Sequence, residues 1–372
     1  MDKIRIGFVG VGGMGQMAHL RNYVTLEDCQ VVAIAELRQE TGRLVAQRYG
    51  VPKVYADHRQ MLAAEKLDGV VASQPFNRHA VLLPEIYGAV RHVFTEKPLA
   101  VSVEAGKALA AAAAKAGCIH MVGYHKRSDP ATAAAKETID EWKATGELGP
   151  LKYVRILMPA GDWVASGFIG LLSAGDKAPP LETEPKPADM DDQTYNQYVS
   201  FVNYYIHQIN LMRHLLGEPY KVAYAEKTGV LLAVQSASGV PGVIEMTPYQ
   251  TTVEWEESAL VAFQKGYVIL RLPAPLATNR CGSVEIYKDP GGGKTGAPGP
   301  AAREGIYLTH LTEPPSNLAI GLIGKEYNIA AANRLLLLYL KHGLGKSLAS
   351  NNGHVGKQRR NRHIHKPYVR QP

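Results

Sequence analysis

The sequence predicts an α/β protein in two parts, a doubly wound parallel sheet followed by an α+β unit built on an antiparallel sheet. Three observations predict it. Residues 4–15, I-R-I-G-F-V-G-V-G-G-M-G, join a short apolar run to glycines at 10, 12 and 15, the G-x-G-x-x-G turn set between a buried strand and a helix. Strand-like and helix-like runs then alternate through the first third of the chain, as βαβ units do. Beyond residue 130 long strand-like runs replace that alternation, which is the pattern of an antiparallel sheet.

Each element has its own reason. In the first turn Gly10 permits the tight bend, Gly12 lets the backbone approach a pyrophosphate, and Gly15 lets helix and strand pack closely, with Gly13 and Met14 completing the phosphate-facing helix start. The apolar run Cys29–Ala35 ends at Glu36, 21 positions beyond Gly15, where a carboxylate accepts from ribose hydroxyls. Glu36 therefore favours NAD, because it would repel a 2′-phosphate, and Arg38 is the opposing feature. Residues 41–49 read as a helix closed by Gly50, and 67–72 as the next strand. The turn S-Q-P-F-N-R-H-A (73–80) leads into a helix to Ala89, and 91–95 form a strand that ends in E-K-P at 96–98. Pro98 keeps Lys97 extended and opens the alanine-rich helix that runs to Lys115. Lys97 thus stands at the carboxyl end of a parallel strand, where ligands of such sheets bind.

In the second half, 151–158, 229–236, 242–247, 258–264, 267–272 and 283–287 read as strands, with Lys265-Gly266 as a hairpin turn. Two Pro- and Gly-rich stretches, 173–194 and 289–302, read as loops. Both read first as mobile surface loops; the first, which precedes a helix, is also in a position to cover a cleft or to reach a neighbouring subunit. That helix, 195–216, carries Asn196, Ser200, Asn203, His207, Asn210 and His214 on one face, and no charged residue occurs from 193 to 212. An uncharged polar stripe of this kind suits a cleft or a protein contact better than open solvent.

Composition bounds the function. At 372 residues and 46% hydrophobic content the chain is long enough for two domains, set at 1–125 and 126–340, and a tail, 341–372. Of its 41 basic residues eight lie in that tail, which has no acid, leaving 33 against 34 acidic residues in the body. The net charge of +7 is therefore a property of the tail, and the body has no basic face for nucleic acid. His363 and His365 share the tail without the further ligands a metal site needs, so no metal is expected. Three separated cysteines argue against a disulfide framework. No apolar stretch, 108–114 and 335–340 included, approaches the roughly 20 residues that span a bilayer. With no secretory segment in view, the cytoplasm is the expected compartment.

G-V-G-G-M-G, Glu36, the turn with Pro75 and His79, E-K-P at 96–98 and G-Y-H-K-R-S-D-P at 123–130 occur in one order. Together they resemble the glucose-fructose oxidoreductase, inositol dehydrogenase and MocA family over the first 130 residues. The stretch N-Y-Y-I-H-Q-I-N at 203–210 is similar to the family's D-x-x-x-H-D-x-D, with asparagine at both outer positions. A second departure is Phe76 between Pro75 and Asn77, where the family usually has asparagine directly after proline.

The resemblance implies an open, mostly antiparallel C-terminal sheet that pairs subunits, and a catalytic Lys97 with His207 beside it at the substrate. The expected chemistry is hydride transfer between NAD and a secondary hydroxyl of a sugar, glycoside or cyclitol, with His207 taking the proton, Lys97 stabilising the alkoxide, and Asn203 orienting the His207 ring. The expected cofactor contacts add Ser73, Gln74, Pro75, Asn77, His79 and Glu96 to the glycine turn, Glu36, Arg38 and Lys97. Tyr124, His125, Lys126, Arg127 and Trp163 are the expected substrate contacts, together with Asn203 and His207. Two alternatives stay open: a glycosidase that retains NAD and works by transient oxidation and elimination, and an NAD-binding regulatory protein without catalysis.

Overall fold

The computed structural model describes residues 3–277 and 280–289, together with the backbone of a strand at 306–308. The expected loop 289–302 after its first residue, the apolar stretch 335–340 and the basic tail with His363 and His365 lie outside the described residues.

Two sheets organise the chain. The first is six-stranded and wholly parallel, in the order β3-β2-β1-β4-β5-β6. Its strands are β1 (Ile4–Val9), β2 (Cys29–Ala35), β3 (Val54–Tyr55), β4 (Gly69–Ala72), β5 (His92–Thr95) and β6 (Ile119–Val122). This is the doubly wound Rossmann order, whose reversal between β1 and β4 opens a crevice at the carboxyl ends of the strands. The central strands are apolar throughout because helices cover both faces: Ile6, Phe8, Val71 and Phe94 pack into one core, and Val9, Ala33, Val70 and Val93 into the other. The crossovers use α2 (Gln39–Tyr49), α3 (His58–Ala64), α4 (His79–Ala89) and α5 (Val103–Ala116). After the glycine turn the chain winds as a π-helix over Gly15–Leu20 and only then closes an α-helical turn, α1 (Arg21–Tyr23).

The second sheet has eight strands, β14-β13-β12-β11-β7-β10-β9-β8. They are β7 (Leu151–Ala160), β8 (Tyr220–Ala225), β9 (Leu231–Ser236), β10 (Pro241–Gln250), β11 (Ser258–Phe263), β12 (Gly266–Arg271), β13 (Ser283–Lys288) and β14 (Ile306–Leu308). Every pairing is antiparallel except β7 with β10, which run parallel. One face is covered by α6 (Pro130–Thr145) and α7 (Asp192–Leu216), and the core between them holds Trp142, Ile156, Met212, Leu216 and Ile244. Burial alternates along β7, β10, β11 and β12, as it must when one face of a sheet is covered.

Local expectations shift in several places, and one is the alanine-rich helix: α5 starts at Val103, capped by Ser102 accepting from Ala105 N at 3.1 Å, and not at Pro98. The helix α6 interrupts the strand-only pattern expected beyond residue 130. The hairpin turn is Gln264-Lys265, because Gly266 already pairs with Phe263 as the first residue of β12. The stretch 173–194 is irregular only to 190, since the Asp191 carboxylate caps α7 by accepting from Thr194 N at 2.7 Å. The short strand β3 and the edge strand β8 were not expected at all.

Candidate active site

The ends of β1, β4 and β5 bring the glycine turn, the 73–77 turn and Lys97 to one edge of the parallel sheet. A cavity of about 590 Å³ lies between that edge and the second sheet. From the first side it is lined by Gly12, Gly13, Met14, Gly15, Ser73, Gln74, Pro75, Phe76, Asn77, Glu96 and Lys97. From the second side come His125, Lys126, Met158, Trp163, Val199, Asn203, Tyr204, His207, Trp255 and Pro275. A smaller cavity of about 350 Å³ continues along the sheet past Gly10 and Gly12 to Glu36, Arg38, Asp57, His58 and Arg78.

The glycine turn fits a dinucleotide. Gly10 has a φ of +88°, and a side chain at Gly15 would collide with the Gly10 carbonyl at 2.6 Å, so both positions need a bare backbone. Glu36 closes β2 with its carboxylate accepting from Val11 N at 2.9 Å, from Arg38 N at 3.0 Å and from the Arg38 guanidinium, Nε and Nη2, at 2.9 Å each. Burial works to raise the Glu36 carboxyl, but the Arg38 and backbone bonds hold it below the ordinary value. Asn77 lines the larger cavity with a buried Oδ1 that has no partner, an acceptor suited to an amide N–H.

At the larger cavity Lys97 Nζ donates to the Asn203 carbonyl at 2.7 Å and to Asn203 Oδ1 at 3.3 Å. Burial lowers the Lys97 pKa, Glu96 opposes that, and Lys126 adds to it. Glu96 in turn takes His19 Nε2 at 2.7 Å and Lys97 N at 3.3 Å. His207 approaches from α7, its ring 4.6 Å from that of His125 in an edge-on arrangement, and its Nδ1 is buried without a partner. Burial, then the nearby His125, Lys97 and Lys126, drive the His207 pKa well below the usual value. His125 is pushed to about 3, chiefly by burial and then by Lys126. Both rings are therefore neutral near pH 7.

Behind them lies a buried ion pair. Lys126 donates to Glu257, which also accepts from Gln208 Nε2 at 2.8 Å, and the Lys126 ammonium sits 5.6 Å from the Trp255 ring centroid. Glu257 contributes nothing to the cavity surface but fixes a lysine that does.

Four expected assignments change. His79 is fully buried, its Nδ1 bonded to the Leu99 carbonyl at 3.0 Å, and it lines neither cavity. Tyr124 and Arg127 also lie outside both cavities, with Arg127 Nε bonded to Asn210 Oδ1 at 2.6 Å. Asn203 does not orient His207, because its amide oxygen faces Lys97 instead. The remaining expected residues line one cavity or the other. Sequence reasoning missed Trp255, Tyr204, Val199, Met158 and Pro275 as lining, and His19 and Glu257 as supports. Tyr204, next to Asn203 on the same helix, was the one within reach of the motif.

Among the described residues no group of three or more His, Cys, Asp or Glu is arranged to hold a metal, and no helix is long and apolar enough to cross a membrane.

Residues 4–124 match an oxidoreductase family with an NAD-binding Rossmann fold. The chain is similar to the myo-inositol 2-dehydrogenase of Thermotoga maritima, 25% identical over 223 residues, which are 60% of this chain and 58% of that protein. It therefore spans less than two thirds of that relative's length. It is also similar to the NAD(+)-dependent scyllo-inositol 2-dehydrogenase of Bacillus subtilis, 25% identical over 258 residues, 65% of this chain and 67% of that one. Among solved structures, levoglucosan dehydrogenase in complex with NADH and levoglucosan superimposes with a TM-score of 0.64 at 17% identity, covering 91% of this chain and 90% of its own. That likeness establishes a shared fold.

Proposed function

We propose that the chain, whose residues 4–124 match the NAD-binding domain of the glucose-fructose oxidoreductase, inositol dehydrogenase and MocA family, is an enzyme of that family and transfers a hydride between NAD and a secondary hydroxyl of a sugar, glycoside or cyclitol. One observation carries the reading: Lys97, from the end of a parallel strand, and His207, from a helix of the second sheet, reach the same cavity opposite the glycine turn. In this reading residues 1–125 hold the cofactor and 126–340 the substrate. NAD, when bound, supplies the hydride acceptor.

The chain's residues divide the remaining work. The glycine turn and the start of the following helix hold the phosphates, Glu36 the adenosine ribose, and Asn77 Oδ1 the carboxamide. Neutral His207 accepts the hydroxyl proton. The Lys97 ammonium turns one of its donors from Asn203 to the substrate oxygen and stabilises the developing alkoxide. Charging His207 beside Lys97 and Lys126 is unfavourable, so the neutral ring is the resting form that meets the substrate hydroxyl. Trp163, Trp255 and Tyr204 supply flat apolar surface for the less polar faces of the substrate.

A screen of polyols, free sugars and glycosides, followed by NADH absorbance with aglycone release assayed in parallel, tests the function. NADH formation supports the dehydrogenase, whereas aglycone release without net NADH assigns the elimination chemistry. No turnover with any of them, in a protein that binds NADH, leaves the non-catalytic reading. With a substrate in hand, Lys97→Met and His207→Ala each lower the rate by about 10²- to 10⁴-fold, while NADH affinity stays within a few-fold. An unchanged rate in His207→Ala removes that residue from the mechanism. The open face of the second sheet is the surface we assign to subunit pairing; a monomer in sedimentation equilibrium would refute that assignment.

A further inference from the structure

The segment between β7 and α7 has no regular structure from 172 to 188, yet it is tied to the parallel-sheet half on both banks of the crevice. On one bank Leu172 and the Gln16 side chain exchange two hydrogen bonds, each 3.0 Å. There too the Asp176 carboxylate sits at the start of α2, accepting from Glu40 N at 2.9 Å, from Thr41 N at 3.3 Å and from the Thr41 hydroxyl. On the other bank Arg78 Nε donates to the Glu182 carbonyl at 3.2 Å. Beside it the Glu184 amide donates to the Asn77 carbonyl at 2.6 Å, and the Glu184 carboxylate accepts from Val101 N at 3.2 Å and Ser102 Oγ at 2.9 Å. Between these ties Ala178 and Leu181 line the smaller cavity, the one that contains Glu36 and Arg38.

A connecting loop needs none of this. Two carboxylates bonded to backbone amides across more than 80 positions of sequence are charge-assisted contacts of the stronger kind, and they anchor the segment on either side of Ala178 and Leu181, which line the cavity. We propose that residues 172–184 form a strap that completes the adenosine end of the cofactor site, so that the dinucleotide enters and leaves only when the strap lifts. The inference rests on the reading of that cavity as the NAD site. It adds that the two halves of the chain hold the cofactor jointly, and that exchange is limited by local opening of the strap rather than by encounter.

Asp176→Ala combined with Glu184→Ala, in the full chain, removes one latch from each bank and touches no residue assigned to phosphate, ribose or hydride chemistry. Stopped-flow fluorescence with NADH, and a chase of excess NAD, gives both rate constants. A gate acts on entry and exit alike, so both rates rise by about tenfold while Kd changes by less than about threefold. Thr41→Val, which deletes only the hydroxyl's two bonds on one bank, to Asp176 and from Ala174 N, raises both by a smaller factor and guards against misfolding of the double variant. An unchanged off-rate overturns the strap, and so does a faster off-rate with an unchanged on-rate, which makes the two acids ordinary contacts. A wild-type protein that binds no NADH overturns the strap and the cofactor reading together.

Discussion

Two single-residue contacts decide how this site titrates and which cofactor it prefers. Asn203 presents its amide oxygen to Lys97, so Asn203→Asp places a carboxylate on the ammonium first and on His207 only through it. The Lys97 pKa, lowered by burial, then rises. Activity that needs the cation is lost as pH climbs through that pKa, so the falling alkaline limb of the rate profile moves to higher pH in the variant. A limb that stays in place would show that Lys97 does not carry it. At the ribose end Arg38 occupies both oxygens of Glu36 and offsets the repulsion that excludes a 2′-phosphate. Arg38→Ala should therefore widen the NAD over NADP preference, by about tenfold for the loss of one close charge; competitive titration of both cofactors reads it, and a narrower preference would reverse the assignment. Lys97, His207 and Glu36 were legible because each stands in a motif or at a counted distance from one. Glu257 was not, since it meets Lys126 across 131 positions and nothing local to the run E-W-E-E-S marks one of its acids as buried.

At the scale of elements, α7 is unevenly supported. Leu211, Met212, Leu215 and Leu216 are buried against the second sheet, whereas much of the first two turns is exposed. Leu215→Ala should cost about 2–5 kcal/mol of global stability. Asp191→Ala removes only the N-cap, about 1 kcal/mol, and frays the first turns without unfolding the rest. Urea denaturation distinguishes them, and equal losses would mean that the helix is held along its whole length. The helix α6 shows what a pattern argument overlooks. Asp129 accepts from Ala131 N at 2.8 Å, Pro130 fills the first turn and Gly146 closes it at a φ of +67°, all of them readable boundary signals. They were masked by the strands that follow. The strand β3, two residues long, has no sequence signal because its place is set by the neighbour it pairs with.

For the molecule as a whole, buried histidines set the acid limit. Burial holds His120 at about 4 and His125 at about 3, with His207 also far below its ordinary value. The unfolded chain protonates these rings below about pH 6.5, and the folded chain does not. Each costs about 1.4 kcal/mol per pH unit once the unfolded ring is charged, until the folded pKa is reached. Stability is therefore fully present above about pH 7 and falls as pH drops from about 6.5 toward 4. Thermal melts across that range check the sign, and a Tm independent of pH there would mean that the rings are not buried as described. The two sheets, their order of appearance and the place of the cleft could be read from spacing, whereas the contacts between them could not. One such contact has a mechanical side. The helix α7 is a rod about 37 Å long at its 25 residues; its last turns are embedded in one sheet, while Tyr198 is hooked to Val101 and Asn203 to Lys97 on the other. A substrate that draws Lys97 away releases a brace near the rod's midpoint, so amides of the upstream turns should exchange deuterium faster in the occupied enzyme than in the empty one.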